Sequence, residues 1–268
     1  MKRSVIPLAL ILVITVYFSV FRKAPSSDWI PFDASMGKAS SSFVKCYSNN
    51  EGQRWKWLKN LYERGVAKPG QREIPKIIHQ IWIGGPIPEK YNGIRKTWKE
   101  KNPDWEYRLW TDADLPAFPF TDRKRFEKAI SVGEKADILR YDILLHFGGL
   151  YVDTDFECLK SFDPIHSTCD FYVGLEAAFC EDQAPAMGNA LIASIPGHPI
   201  LKYCLKDISK RSPGTTPDEV QSVSGPGCLR KAFFKQSNQK GFKNIAFPYT
   251  FFYPIPSSHR RDERREEW

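Results

Sequence analysis

The stretch Glu134-Lys135-Ala136-Asp137-Ile138-Leu139-Arg140-Tyr141-Asp142-Ile143-Leu144-Leu145-His146-Phe147-Gly148-Gly149-Leu150-Tyr151-Val152-Asp153-Thr154-Asp155 changes its period partway along. Its first part carries apolar residues at 136, 139, 143 and 147, the spacing of one helical face. Gly148-Gly149 then stops the helix. The residues that follow alternate as a strand does, which predicts Tyr151, Asp153 and Asp155 on one face with Leu150 and Val152 packed behind them. On the helix, Asp137, Arg140 and Tyr141 stand at i, i+3 and i+4 and project together toward the strand. The plainer reading of Asp137 and Arg140 is a surface ion pair worth a few tenths of a kcal/mol.

Two carboxylates two residues apart repel unless a cation lies between them. Hard divalent ions such as Mg²⁺ and Mn²⁺ suit an oxygen-only pair and keep positions open for a diphosphate. The expected chemistry is therefore metal-assisted and acts on a nucleotide.

Working outward, a strand is expected at about 76–82 and a helix at about 89–101 carrying Ile94 and Trp98. The Asn102-Pro103 stop and a second strand at 105–110 complete a β-α-β unit. Such units hold ligands beyond the carboxyl ends of their strands. Trp82, Ile83 and Gly84 fall at that end of the first strand, where Trp82 could stack on a nucleobase or, as an aromatic in an apolar strand, belong to the core.

The chain has 268 residues, 42% hydrophobic and 14% aromatic, enough for one substantial core after its N-terminal segment is set aside. Its formal net charge is +8. No basic stripe interleaved with aromatics and no helix-turn-helix or zinc pattern accompanies that charge, so nucleic acid is not an expected partner. Anionic headgroups and a nucleotide diphosphate account for it. Residues 4–21 contain no charge, and as a helix they reach roughly 27 Å, close to the apolar thickness of a bilayer. An uncleaved single-pass anchor is expected there, Golgi or ER type II in a eukaryote and inner membrane in a bacterium; a cleaved signal peptide is the competing reading. The expected organisation is anchor at 1–22, stem at 23–50, catalytic domain at 51–256 and charged tail at 257–268. Within the domain, 51–66 reads as a short helix docking through Trp55, Trp57, Leu58 and Leu61. The six cysteines show no C-x-x-C spacing, and most fall in segments expected to be core.

The pattern A-D-I-L-R-Y-x-I-L-x-x-x-G-G-x-Y-x-D-x-D at 136–155 resembles the glycosyltransferases with a D-x-D sugar-binding region. That family includes the yeast initiating α-1,6-mannosyltransferases and the inositol-phosphorylceramide mannosyltransferases. Ile74-Pro75-Lys76-Ile77-Ile78-His79-Gln80-Ile81-Trp82-Ile83-Gly84 resembles the family's opening strand, and Asn189–Ser194, Gly197-His198-Pro199, Ser224–Gly227 and Phe252-Tyr253-Pro254 extend the likeness to about residue 256. The resemblance implies an α/β, GT-A-like nucleotide-sugar-binding domain with a mixed central sheet flanked by helices. It also implies retaining transfer of a hexose of mannose, galactose or glucose type, from a GDP- or UDP-sugar to a glycan or glycolipid hydroxyl, with Mn²⁺ or Mg²⁺.

Residue by residue, the resemblance makes Trp82, with Ile83, the base-stacking wall, and Asp137 the contact to donor hydroxyls. Arg140 becomes the cation on the donor sugar, and Tyr151 a neighbour of the nucleotide. Asp153 becomes the first motif carboxylate, touching metal through water, and Asp155 the direct metal ligand. Asn189 is either a polar contact near the reacting sugar or a turn residue after Met187-Gly188. The third metal contact comes from the C-terminal segment in relatives; here His259 is the available ligand and Trp268 the available aromatic, and the family's usual ending is replaced by the charged run 260–267. His79, His146, His166 and His198 read as structural. Two other classes are set against this one: a membrane-anchored sugar-binding protein without catalysis, and a metal-dependent nucleotidyltransferase or phosphoesterase, which would call for further clustered Asp or His.

Overall fold

The computed structural model describes residues 29–36, 50–67, 73–176 and 186–253. The stretch 4–21, the tail 257–268, His259 and Trp268 lie outside the described residues, as do Cys46 and Cys180. No helix among the described residues is long and apolar enough to cross a membrane.

Helix α1 (Phe32–Met36) and helix α2 (Asn50–Val66) precede the sheet. The β-α-β unit follows as β1 (Ile77–Ile81), α3 (Tyr91–Lys101) and β2 (Glu106–Trp110), then α4 (Arg123–Lys128), α5 (Val132–Phe147) and β3 (Gly149–Val152). Beyond these come α6 (Asp163–His166), β4 (Phe171–Leu175), β5 (Met187–Ser194), α7 (Pro199–Ile208), α8 (Pro217–Val223), α9 (Pro226–Gln236), β6 (Asn244–Phe247) and α10 (Tyr249–Phe252). The sheet order is β2-β1-β3-β5-β4-β6. β1 runs parallel to β2 and β3, β5 runs antiparallel to both β3 and β4, and β6 is parallel to β4. The mixed sheet flanked by helices is the expected one.

Because β5 is reversed, its first residues lie beside the carboxyl end of β3, with Val152 paired to Leu191. The ends of β1 and β3, the start of β5 and the end of β4 thus meet along one edge, and the cleft opens there.

The expected strand face for Asp153 and Asp155 needs correcting. β3 ends at Val152, and Asp153-Thr154-Asp155 is a turn in which Phe156 N–H donates to Asp153 O at 3.2 Å. Asp153 N–H still reaches Ala190 O at 2.8 Å, after which the chain leaves the sheet. Alternation of side-chain type therefore outlasts the ladder by three residues.

Helix α5 begins at the N-cap Ser131, whose side chain accepts from Glu134 N–H, and ends at Gly148, whose N–H returns to Leu144 O. Gly148 (φ 65°) and Gly149 (φ 95°) take the left-handed region. A Cβ on Gly149 would stand 2.6 Å from Ile77 O, so the tight passage from α5 into β3 requires glycine. His79 braces the same junction. Trp110 Nε1 donates to its Nδ1 at 3.2 Å, which leaves Nε2–H for Gly148 O at 2.9 Å. Burial lowers the His79 pKa to about 4, so the ring is neutral. His166 is likewise held at about 4 by burial, bonded to Pro75 O, and both residues are structural, as expected.

A second correction concerns the stem. Phe32 and Met36 are fully buried, Phe32 edge-on to Trp55 at 5.2 Å, and Tyr62 OH donates to Ile30 O at 2.8 Å. Residues 29–36 belong to the folded unit. Their polar neighbours give the stretch linker composition, but two fully buried large apolar side chains contribute about 1.5–3 kcal/mol each. The helix at 51–66 is present as α2, with Trp55 and Leu58 buried. Cys158, Cys169, Cys204 and Cys228 are free thiols in the core.

Candidate active site

At the sheet edge a cleft of about 340 Å³ is lined by Trp82, Ile83, Tyr91, Arg140, Tyr151, Asp153, Thr154 and Asp155, with Val132 and Ala136 from α5. Every residue expected to touch the donor through the strand and helix motifs is on its wall, except Asp137 and Asn189, which lie one layer beneath.

Arg140 is the hub. It is 6% exposed; its Nη1 donates to Asp153 Oδ1 at 3.1 Å and to Asn189 O at 2.6 Å, and its Nη2 pairs with Asp137 Oδ1 at 3.1 Å. Its guanidinium lies 4.5 Å from the Tyr151 ring centroid, and Tyr151 OH donates to Asp153 Oδ1 at 2.6 Å. Burial works to lower the Arg140 pKa, but Asp153, Tyr151 and Asp137 outweigh it and hold the group above its ordinary value. The cation is permanent. A surface pair between Asp137 and Arg140 is thereby excluded: both are buried, in one network with the motif carboxylate.

Asp137 is 7% exposed and fully engaged. Its Oδ1 accepts from Asn189 Nδ2 at 2.8 Å, and its Oδ2 from Ser224 Oγ at 2.9 Å. Burial raises its pKa, against the pull of Arg140, Ser224 and Asn189. Asn189 sits within β5, not in a turn, and its side chain orients Asp137. Ser224 stands in the sequence only as part of a Ser-Gly-Pro-Gly block; its partner is 87 residues away, and nothing local marks it. Tyr141, the third residue of the helix face, turns inward and donates to Ser224 O at 2.8 Å. Gln80 is likewise unmarked in the sequence. Its Nε2 reaches Asp153 O at 3.3 Å, while its Oε1 accepts from Tyr107 OH.

Trp82 is half-buried on the cleft wall beside Tyr91, with ring centroids 5.1 Å apart, and is not a core residue. The loop behind it is pinned by Asp112, whose carboxylate accepts from Gly84 N–H at 2.9 Å and Gly85 N–H at 3.3 Å. Ile83 is buried against the same wall.

Asp155 is exposed at the rim. Asp153 is half-buried; its Oδ1 serves Arg140 and Tyr151, and its other oxygen makes no hydrogen bond among the described residues. No cluster of three or more His, Cys, Asp or Glu occurs among the described residues. Two carboxylates at a solvent-facing rim fit a cation such as Mg²⁺ or Mn²⁺, which takes one or two protein oxygens and completes its shell with phosphate and water. They do not fit a soft or closed structural site.

Residues 88–172 match the family described as "Glycosyltransferase sugar-binding region containing DXD motif". The chain is 31% identical over 157 residues to "Inositol phosphoceramide mannosyltransferase 3" of Schizosaccharomyces pombe, covering 57% of this chain and 42% of that protein. It is 31% identical over 208 residues to "Initiation-specific alpha-1,6-mannosyltransferase" of Candida albicans, covering 62% and 54% respectively. The chain thus spans about half the length of these curated relatives. Among solved structures, "PaToxG Glycosyltransferase" superposes with a TM-score of 0.51 at 20% identity over 75% of this chain and 79% of that one, which shows a shared GT-A-like fold. The matched region, residues 88–172, is thus similar to the sugar-binding region of the DXD-motif glycosyltransferases, the family that residues 136–155 resemble.

Proposed function

We propose that the protein is a membrane-anchored, metal-dependent, retaining glycosyltransferase that moves a hexose from a nucleotide-sugar to a glycolipid or glycan hydroxyl. The observation that carries this reading is Arg140, a buried permanent cation bonded at once to Asp137 and to the motif carboxylate Asp153 on the floor of the cleft. The names of the relatives favour mannose as the sugar and a glycolipid such as inositol phosphoceramide as the acceptor.

In this mechanism Trp82 and Tyr91 form the wall for the nucleobase, and Tyr151 with Arg140 forms the floor beneath the diphosphate. Asp155, with Asp153, would hold Mn²⁺ or Mg²⁺, which when bound supplies Lewis-acid stabilisation of the departing diphosphate. Arg140 does not reorganise as negative charge develops, because Asp137 fixes one edge of its guanidinium and Asn189 O another. Preorganised charge of this kind favours the transition state over the ground state. Asp137 in turn is oriented by Asn189 and Ser224, so its role is to position Arg140. Asp137 and Asn189 are buried one layer beneath the cleft, and both Asp137 oxygens accept hydrogen bonds. That burial favours attack by the acceptor hydroxyl on the face the leaving group vacates.

A non-catalytic sugar-binding protein has no need of a buried arginine shared between two carboxylates. A two-metal phosphoesterase calls for more clustered ligands than the described residues offer.

The test is release of nucleoside diphosphate by the full chain in detergent micelles, from a panel of GDP- and UDP-hexoses with and without Mn²⁺, alongside Asp155→Asn. Turnover of one donor that needs both metal and Asp155 supports the reading. Turnover indifferent to both, or none despite a folded and donor-binding protein, overturns it.

A further inference from the structure

A chain of polar side chains runs from helix α3 through β2 and β1 to the turn Asp153-Thr154-Asp155. β1 pairs Ile78 with Tyr107 of β2, and Gln80 lies two residues on, so Tyr107 and Gln80 share one face of the sheet. Tyr107 OH donates to Gln80 Oε1, and Gln80 Nε2 donates to Asp153 O at 3.3 Å. At the other end Arg95 Nε donates to Tyr107 Oη at 3.0 Å, while Arg95 Nη1 donates to Asn92 Oδ1 at 3.3 Å. Lys99, one turn further along α3, stands 4.7 Å from the centroid of the Tyr107 ring. Gln80 is fully buried, and Tyr107 and Arg95 are half-buried.

The two ends give this chain one direction. A guanidinium has donors and no acceptor, so Arg95 makes Tyr107 Oη accept and leaves the single hydroxyl proton for Gln80. Burial raises the Tyr107 pKa against the pull of Arg95, so that proton is retained. A carbonyl has no donor, so Asp153 O takes the amide by its NH₂ side; the reverse orientation would set two acceptors against each other. A charged donor at the head of such a chain strengthens the bonds that follow. At the far end Asp153 O also accepts from Phe156 N–H at 3.2 Å, and Asp153 N–H donates to Ala190 O at 2.8 Å. Gln80 therefore ties a turn already pinned to β5 to β1 as well, and through Tyr107 and Arg95 to α3.

From this we infer that Gln80 is a positioning residue for the carboxylate pair, holding the Asp153 carbonyl so that the turn presents Asp153 and Asp155 to a divalent cation on the diphosphate. Arg95, which is not among the residues lining the cleft, polarises Gln80 for that task. The inference rests on the metal-dependent reading of the site. Charge alone predicts the opposite sign for Arg95: removing a cation strengthens Mn²⁺ binding through Coulomb's law, whereas removing the head of the chain weakens it.

The experiment is Mn²⁺ titration of the full chain in nonionic micelles with GDP or UDP present, read by loss of the free-ion electron paramagnetic resonance signal. Gln80→Met should weaken Mn²⁺ binding roughly three- to tenfold, the equivalent of one hydrogen bond. Gln80→Met/Tyr107→Phe removes two facing polar groups together, so it should show the same loss with its melting temperature close to that of the unaltered protein. Arg95→Met should weaken Mn²⁺ about two- to threefold, and Arg95→Lys, which keeps a donor, should restore it. Arg95 is half-exposed on a helix, so its variants keep the test open should the buried ones fail to fold. Binding of the nucleoside diphosphate without metal, measured by calorimetry in EDTA, should stay unchanged throughout, since Trp82 and Tyr91 are untouched. A folded double variant with native Mn²⁺ affinity, an Arg95→Met protein that binds Mn²⁺ more tightly, or metal-free nucleotide binding that falls in step overturns the inference and leaves the transferase reading standing. Unaltered protein that takes up no Mn²⁺ with either diphosphate overturns both.

Discussion

Arg140→Met offers the sharpest test of the site, because it removes the cation and keeps most of the volume. In the native protein the guanidinium serves Asp137, Asp153 and Asn189 O in a buried setting. Removing one partner of a buried pair leaves an uncompensated charge and costs about 3–5 kcal/mol. For a domain of this size that is a fall of roughly 6–20 °C in melting temperature. The sign with pH follows from Asp137. Its folded-state pKa already lies above the unfolded value through burial, and without Arg140 it rises further. A carboxyl raised in the folded state favours folding when protonated, so the variant's deficit should grow as pH rises from about 4 and shrink on acidification. Adding Asp137→Asn removes the stranded charge, and Arg140→Met/Asp137→Asn should melt above Arg140→Met while both remain without turnover. Thermal unfolding of the full chain by near-ultraviolet circular dichroism, at pH 5 and pH 7.5, reads all three. A single variant that melts with the native protein, or a double variant that simply adds the two losses, would refute the view that the buried Arg140 and Asp137 charges compensate each other.

Further outcomes follow from the same geometry. Trp82→Ala should weaken donor binding roughly tenfold or more by calorimetry, since a stacked base is worth about 1–3 kcal/mol, with the fold intact because Trp82 is not in the core. Gly149→Ala combines φ 95° with a Cβ 2.6 Å from Ile77 O and 2.9 Å from His79 Nε2, and should lose about 2–5 kcal/mol in urea unfolding. Gly93→Ala, in α3 with open space at its Cβ, should gain about 0.5–1 kcal/mol in the same assay. His79 and His166 are held neutral with pKa values of about 4, below their unfolded value. The unfolded chain therefore takes up protons first, and each should withdraw up to about 1.4 kcal/mol of stability per pH unit as pH falls from 6.5 toward 4. A flat stability profile across that window would contradict their buried, neutral state.

The α5–β3 unit was readable because its periodicity and its glycine stop are local. So was the likeness that brought Asp137, Arg140, Tyr151 and Asp153 together. The strand was read three residues too far, because side chains keep alternating after Val152 while the hydrogen-bonded ladder ends with the Val152–Leu191 pair. Asn189 follows Met187-Gly188, which reads locally as a turn; strands on both sides of β5 settle it as extended. Ser224 and Gln80 act through partners 87 and 73 residues away, distances at which no spacing rule operates. Phe32 and Met36 were hidden by their surroundings, two apolar anchors in a segment whose average composition is that of a linker.

Those two residues also decide where the autonomous folding unit begins. A truncation at residue 51, natural from composition, would strip Phe32 from Trp55 and Tyr62, remove the buried Met36 and leave an aromatic face open to water. The forfeited burial, about 3–6 kcal/mol, is comparable to the whole stability of many domains. A soluble form for crystallography or drug screening should start no later than Trp29; one begun at 51 is expected to aggregate through the uncovered patch, whatever the state of its active site.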